Sequence, residues 1–372
     1  MGAKMQVTYP SIDRIWPGAA IDAGWNHGPE LLEGRGYAKI PLGVLKVSGP
    51  DRWAWLNSVS TQDFSNWEPA APREALILDP TGHVELSFFA VDDGSAVWIL
   101  TEEPEGATEF FRSMRFRSRV EIADVSADFT VVGYLQTGDE DSLAARFWSE
   151  HSQVTWADPW PGPVGNTTVF TAASVSHPAD DPAAPHRELA VVSRLDLPAL
   201  EVTAAASGLV KADFGAWEAV RISLWRPRLG REGKPGTLPH ELDWLRVAVS
   251  LQKGCYPGQE TVAKLTNRGR PPRRLTFLDL DGSREELPAI GSSLTLESDG
   301  SEVGVLTSVA YHPTDGQIGL GLVKRQVDPA EMLLVEGLRA APSVIVDPSG
   351  ENPRRLDDSQ LGGLLGLKAR KQ

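Results

Sequence analysis

Residues 251–262 read LQKGCYPGQETV, and this stretch carries the densest chemistry of the 372-residue chain. Its two glycines permit backbone angles that are closed to other residues, and the proline between them fixes its own φ. The stretch is therefore predicted to be a rigid loop between a helix over 239–249 and a following strand. It would present an ammonium group, a thiol, an amide and a carboxylate at fixed positions, on Lys253, Cys255, Gln259 and Glu260.

The pattern Lys-Gly-Cys-Tyr-x-Gly-Gln-Glu over residues 253–260 resembles the signature of the YgfZ-type folate-binding proteins. These proteins are related to the aminomethyltransferase, or T-protein, of glycine cleavage. Three further stretches are similar to segments of that family: WLNSVSTQD at 55–63, LDPTG at 78–82 and EAVRI at 218–222. The resemblance covers residues 38–345.

The resemblance implies an α+β fold of two intertwined α+β subdomains of the aminomethyltransferase type, followed by a small C-terminal β-barrel. The subdomains would occupy residues 38–267, with a split near 125–130, and the barrel residues 271–346. Short strands separated by Gly or Asp turns independently predict an all-β module there, with five strands between 275 and 336. Residues 1–37 read as an irregular lead-in and residues 347–372 as a mobile tail.

The resemblance also implies a function: binding of tetrahydrofolate, or a derivative, by an accessory protein that helps to assemble or repair iron–sulfur enzymes, including enzymes of tRNA modification. Its partners would be iron–sulfur client enzymes or assembly factors. Cys255 is the chain's one cysteine, so a disulfide framework within the chain is excluded. One thiolate cannot hold a whole cluster, so Cys255 is interpreted as a redox group or as one contact to a shared cluster.

The folate contacts predicted on this basis lie in the signature loop and in three other segments. They are Lys253, Tyr256, Gln259, Glu260, Arg221, Glu241, Asp243 and Arg268. The family's glutamate after Arg-Ile is replaced by Ser223, and Glu241 or Asp243 is predicted to supply the missing carboxylate. Both acids also suit the first turn of a helix, so a structural role for them stays open.

Two alternatives remain. One is a folate-dependent aminomethyl- or methyltransferase. Against it, Ser87 stands near the position of an aspartate that is thought to assist methylene transfer in aminomethyltransferases, and a serine cannot carry that negative charge. If the chain is an enzyme at all, that is the class expected. The other is a partner-binding protein that has lost folate, an interpretation that the replacement at Ser223 favours.

Composition and spacing argue against several other classes of protein. The net charge of −14 disfavours direct nucleic-acid binding, and the basic stretch 268–274 has no interleaved aromatic residue. The sequence shows no metal-ligand spacing and no dinucleotide fingerprint. A run of about 20 apolar residues and a secretory signal are absent, so neither a membrane partner nor export is expected and the predicted location is the cytoplasm.

Overall fold

The computed structural model describes residues 26–138, 141–172, 174–233 and 236–350. Residues 1–25 of the predicted lead-in, residues 351–372 of the predicted tail and the side chain of Arg268 lie outside the described residues. The helices are α1 (Gly28–Leu32), α2 (Arg52–Val59), α3 (Pro104–Ser113), α4 (Leu143–Glu150), α5 (Leu197–Ala206), α6 (Phe214–Ser223) and α7 (Gln259–Arg268).

The first sheet is an antiparallel unit built from one continuous stretch of chain. Its strands, in spatial order, are β3 (Arg73–Leu78), β4 (Val84–Asp92), β5 (Ala96–Thr101), β2 (Gly43–Ser48) and β6 (Glu121–Asp124). Alternate residues face opposite sides, so Leu86 and Phe88 pack outward against α2 and α3. Leu76, Val91 and the half-buried Phe89 face the opposite side, toward the centre of the molecule.

The second sheet takes its strands from both sides of the first sheet in sequence. In spatial order they are β10 (Val210–Ala212), β1 (Gly36–Ile40), β7 (Phe129–Gln136), β9 (His186–Ser193) and β8 (Val154–Ala157). Strand β1 pairs parallel to β10 and antiparallel to β7. Because β1 precedes the whole of the first sheet, the two α+β units are intertwined.

The described residues form four apolar cores, one of which fills the C-terminal barrel, and the other three follow from this layering. The central core lies between the two sheets and includes the inward faces of α6 and of the barrel. Helices α2 and α3 cover the outer face of the first sheet, and α4 and α5 cover that of the second. Trp217 of α6 is 1% exposed at the centre, so α6 acts as the element around which both sheets pack.

The C-terminal module is a closed barrel, as predicted, but it has six strands rather than five. In spatial order they are β11 (Arg273–Leu280), β14 (Gly316–Lys324), β13 (Glu302–His312), β12 (Ser293–Leu296), β15 (Leu333–Val335) and β16 (Leu338–Val344). Strand β16 closes the barrel on β11. It was missed because a polar turn of only two residues separates it from β15, and because Pro342 interrupts its pattern.

Three local predictions differ from the structure. The predicted helix over 239–249 is two 3₁₀ turns, Pro239–Leu242 and Trp244–Arg246, because Asp243 between them has φ 54°. The signature loop leads into helix α7 instead of a strand. Within the described part of the lead-in, α1 and the start of β1 are regular elements. No helix among the described residues is long and apolar enough to cross a membrane.

Candidate functional site

Three of the four stretches that resemble the family meet at one place. Gly258 precedes α7 with φ 79°, and a Cβ there would lie 2.7 Å from the carbonyl oxygen of Asp79. Gly82 has φ 89°, and a Cβ on it would lie 2.8 Å from Cβ of Thr261. Each glycine is therefore needed both for its backbone angle and for the close approach. The signature loop packs directly on the turn between β3 and β4.

Lys253 anchors the other side of this loop. Its buried Nζ donates hydrogen bonds to the carbonyl oxygens of Asn57, Ser60 and Gln62, at 2.5, 2.5 and 2.9 Å. These carbonyls belong to the last turn of α2 and the residues that follow it. Burial lowers the pKa of Lys253 to about 7, but only the protonated amine has three hydrogens for three acceptors. Lys253 thus binds backbone of its own chain.

The remaining side chains of the loop divide between the surface and the interior. Cys255 and Glu260 are exposed, the latter in the first turn of α7, where a carboxylate suits the helix dipole. Tyr256 is 8% exposed and packs in the central core. Gln259 is partly buried, and its amide lies 3.5 Å from the carbonyl oxygen of Lys253. The thiol of Cys255 is therefore exposed to solvent on a loop that Lys253 anchors.

Glu241 and Asp243 are fully buried and bind groups of the protein. Glu241 accepts hydrogen bonds from the backbone N–H of Leu238 and from the guanidinium of Arg273. Asp243 accepts from the backbone N–H of Phe170, the hydroxyl of Thr171 and the guanidinium of Arg246. Glu241 thus ties Arg273 to the first 3₁₀ turn, and Asp243 ties the segment at Phe170 to the junction of the two turns.

A cleft that is partly open to solvent lies between the two sheets and against α6. Phe89 of β4, Leu189 of β9, and Phe214 and Trp217 of α6 supply its apolar walls. Its charged lining comprises Glu102, Arg187, Glu218, Arg221, Arg226 and Arg228. Of the predicted site residues, Arg221 alone belongs to this lining, and none of residues 251–262 does.

Ion pairs connect the charged side chains of the cleft. Glu218 receives both Nε and Nη2 of Arg221 at 3.0 Å, and Nε of Arg228 at 3.0 Å. Arg228 also donates Nη1 to Glu102 Oε2, across from the first sheet. Arg221 continues to Glu232 and to Ser308 of the barrel. The network thus joins both sheets and the barrel at the cleft.

The surroundings shift the pKa values of these groups in different directions. Burial opposes the charge of Glu218, but the guanidiniums of Arg221 and Arg228 outweigh it and lower the pKa of that carboxyl. Burial lowers the pKa of Arg187 to about 10. Burial, with help from the neighbouring Glu102 and Glu105, raises the pKa of Glu103 to about 8. The cleft therefore carries charged pairs, while the adjacent Glu103 keeps its proton at neutral pH.

Three polar atoms of the cleft residues have no partner among the described residues. Nε of Arg187 and Nη2 of Arg228 are buried donors without an acceptor. Glu102 binds Arg228 and the N–H of Gly230 through Oε2 alone, which leaves Oε1 without a donor. Buried polar atoms in native proteins are normally paired, so the two guanidinium donors are exceptions that a polar ligand or ordered water would satisfy. Glu102 is half-buried, so its Oε1 can also be hydrated by solvent.

Sequence reasoning did not single out Glu102, Arg187 and Arg228, which line the cleft. Arg228 is 126 positions from Glu102 in sequence, and no short motif links the two. One signal was present: Glu102 and Glu103 directly follow the apolar run of β5, where a strand end carries two acids. Among the described residues, no group of three or more His, Cys, Asp or Glu side chains is arranged to hold a metal ion.

The chain is similar over most of its length to curated proteins. It is 26% identical over 274 residues to the tRNA-modifying protein YgfZ of Klebsiella pneumoniae, covering 70% of this chain and 78% of that protein. It is 26% identical over 265 residues to the mitochondrial iron–sulfur cluster assembly factor IBA57 homolog of Mycosarcoma maydis. These matches agree with the resemblance to YgfZ-type proteins that the sequence motifs carry. No family model matches it.

Two other matches are to a plant protein and to a solved structure. A chloroplastic candidate transferase of Arabidopsis thaliana is 27% identical over 305 residues, which is 77% of this chain. The matched regions span 64% of the plant protein and 56% of the fungal one. The solved structure of the glycine cleavage system aminomethyltransferase T from Bartonella henselae has a TM-score of 0.65 at 15% identity, covering 86% of this chain and 88% of that chain. This likeness confirms the predicted fold.

Proposed function

We propose that the chain binds tetrahydrofolate, or a derivative, in the cleft between the two sheets. The proposal rests on the unpaired polar atoms of Glu102, Arg187 and Arg228, which lie beside the aromatic walls of the cleft. A reduced pterin is a flat ring with a guanidine-like donor edge and a carbonyl acceptor. Glu102 Oε1 suits the donor edge, and the guanidinium donors of Arg187 and Arg228 suit a carbonyl or carboxylate oxygen.

This proposal changes the set of predicted folate contacts. It keeps Arg221 and adds Glu102, Arg187 and Arg228, with Trp217 as a wall. Ser223 donates its hydroxyl to the carbonyl of Val220 in its own helix. Glu102, rather than Glu241 or Asp243, is therefore proposed as the carboxylate for the pterin edge. The predicted contacts of the signature loop and of Arg268 would then lie toward the tail of the ligand or bind no part of it.

We further propose a cytoplasmic role in the assembly or repair of iron–sulfur enzymes, with a link to tRNA modification. The names of the fungal and bacterial relatives support it. Cys255 would act at the surface as a redox group or as one thiolate contact to a cluster, which is cargo here, with the other ligands coming from a client or assembly factor. Bound folate would supply a one-carbon or redox-active pterin unit.

Transferase chemistry is the weaker candidate. Ser87, which the sequence places near the assisting aspartate, pairs with Leu76 in the first sheet and carries no charge. The loss of folate is the other rival, and a direct binding measurement separates it from the main proposal.

Tetrahydrofolate is expected to quench the tryptophan fluorescence of the chain, because Trp217 lines the cleft. Glu102→Gln should weaken binding about tenfold or more, since hydrogen bonds to charged groups contribute about 1.5–3 kcal/mol. Glu109→Gln, on the exposed side of α3, is the matched control and should bind as the parent does. Titration by fluorescence and by calorimetry measures both. No quenching and no heat would show that folate has been lost.

Cys255→Ala is expected to uncouple folate binding from the cellular role. Its folate affinity should equal that of the parent, since Cys255 is exposed and outside the cleft lining. In a strain lacking the protein, Cys255→Ala should leave iron–sulfur enzyme activities at the level of the deletion, whereas the parent gene restores them. Normal activities in the deletion strain would refute the iron–sulfur role. Full rescue by Cys255→Ala would refute only the role of the thiol.

A further inference from the structure

A second surface, distinct from the cleft, lies between α3 and the edge strand β6. Residues 112–119 read RSMRFRSR and are named here the arginine turn. They place four arginines and a phenylalanine in eight residues of a chain whose net charge is −14. All five of these side chains are exposed, and Phe116 is 81% exposed. Among the exposed large apolar residues described, which also include Leu195 and Val202, Phe116 is the one aromatic ring, and arginines flank it on both sides.

The arginine turn is held in place at both ends. Trp55 Nε1 donates to the carbonyl of Met114 at 2.9 Å, and Ser118 N donates to the carbonyl of Arg115 at 2.9 Å. Asp51 accepts from both the backbone and the side chain of Arg119. Phe116 has φ 43°, a region that bulky residues rarely adopt. The fold thus fixes the ring on the outside instead of letting it collapse onto the neighbouring core.

Three arginines of the arginine turn have no ion-pair partner among the described residues. Asp51 engages Arg119, but no described residue forms an ion pair with Arg112, Arg115 or Arg117. Exposed arginines on both sides of one exposed ring combine two kinds of recognition. A guanidinium fork fits phosphate oxygens, and a ring or a guanidinium plane can stack on a base.

We propose that the arginine turn binds a single-stranded nucleic acid, with Phe116 stacking on a base and the three unpaired arginines contacting phosphates. This inference departs from the expectation of no direct nucleic-acid contact, which rested on the overall charge and on residues 268–274. It is independent of folate binding. Because the overall charge repels polyanions, contact would be confined to this turn and to a short stretch of strand.

Other partners fit the same surface less well. A protein interface usually has an apolar centre of several side chains, whereas Met114 beside Phe116 packs inward against the core of the first sheet. Insertion into a lipid surface needs an apolar helix face, and this turn offers one ring. Aromatic and arginine side chains interleaved at single-residue spacing are instead typical of sites for single strands.

The test is fluorescence anisotropy with a labelled 12-nucleotide oligouridine RNA and the full chain. Binding should weaken with salt, and log K against log salt should have a slope of about −2, or about −0.7 for each of three phosphate contacts. Arg115→Gln and Arg117→Gln should each make the slope less steep by about 0.7. Phe116→Leu should weaken binding about tenfold, whereas Phe116→Trp should retain it.

Matched controls lie elsewhere on the surface. Leu195 is 88% exposed, so Leu195→Ala tests loss of an exposed apolar group, and Arg146→Gln on α4 tests loss of an exposed charge. Neither should change binding. No binding by the parent chain, or equal binding by Phe116→Leu and the parent, would overturn the proposal. So would binding of a polyglutamate peptide or of phosphatidylserine vesicles without binding of the RNA.

Discussion

Replacing Arg226 by methionine is expected to lower the free energy of unfolding by about 4 kcal/mol, because it leaves buried carboxylates without their cation. Arg226 is 1% exposed, and its Nη2 lies 2.7 Å from Glu74 Oε2 and 3.1 Å from Asp158 Oδ1. Burial raises the pKa of Glu74, and the charge of Arg226 opposes that rise. Such a loss is a large fraction of the 5–15 kcal/mol or so that holds a typical domain folded.

Urea denaturation followed by tryptophan fluorescence measures this change. Adding Glu74→Gln to Arg226→Met should recover part of the lost stability, because one unpaired charge is removed. Arg339→Met breaks an exposed pair with Glu297 and should produce no measurable change. A loss under about 1 kcal/mol for Arg226→Met would mean that the buried network is not a structural hub.

Lys253→Met is expected to cost about 3 kcal/mol, or about 1 kcal/mol for each of three backbone carbonyls left without a donor. The carbonyls of Asn57, Ser60 and Gln62 are all within 2.9 Å of Nζ. Methionine has a similar length and flexibility, so the variant removes the hydrogen bonds with little change in packing. The signature loop should also loosen, because this ammonium group ties it to α2.

Denaturation measures the stability, and hydrogen exchange over residues 253–258 measures the loosening. Lys264→Met removes an exposed lysine from α7 and should change neither quantity. If Lys253→Met were as stable as the parent but bound tetrahydrofolate poorly, Lys253 would be a ligand contact and not an anchor. That result would restore the role that the sequence predicted for it.

Much of the fold could be predicted from local patterns. The strands of the first sheet and of the barrel follow from short apolar runs with Gly, Asp or Pro turns. The helix over 239–249 could not be excluded in this way, because its apolar spacing is helical. What breaks it is Asp243, whose carboxylate holds the backbone of Phe170 and so favours a left-handed backbone angle.

The site was harder to predict than the fold. The signature loop was found because its residues are contiguous, and Cys255 is indeed displayed to solvent. The structure assigns Lys253 and Tyr256 of the same motif to anchoring and packing contacts. A motif states which residue types occur together, but it does not state which way each side chain points. Lys253 shows this, because its charged group contacts backbone carbonyls, whereas the folate contacts expected of Gln259 and Glu260 stay predictions.

The sequence by itself determined the α+β class, the C-terminal barrel, the family resemblance and the single thiol, because these depend on local periodicity and on contiguous residues. Only the tertiary structure decided where the cleft lies and which charges remain unpaired in it. Arg228 meets Glu102 across 126 positions, and Lys253 meets Asn57 across 196. Such contacts arise from the intertwining of the two sheets, since strand β1 brings distant parts of the chain together around α6.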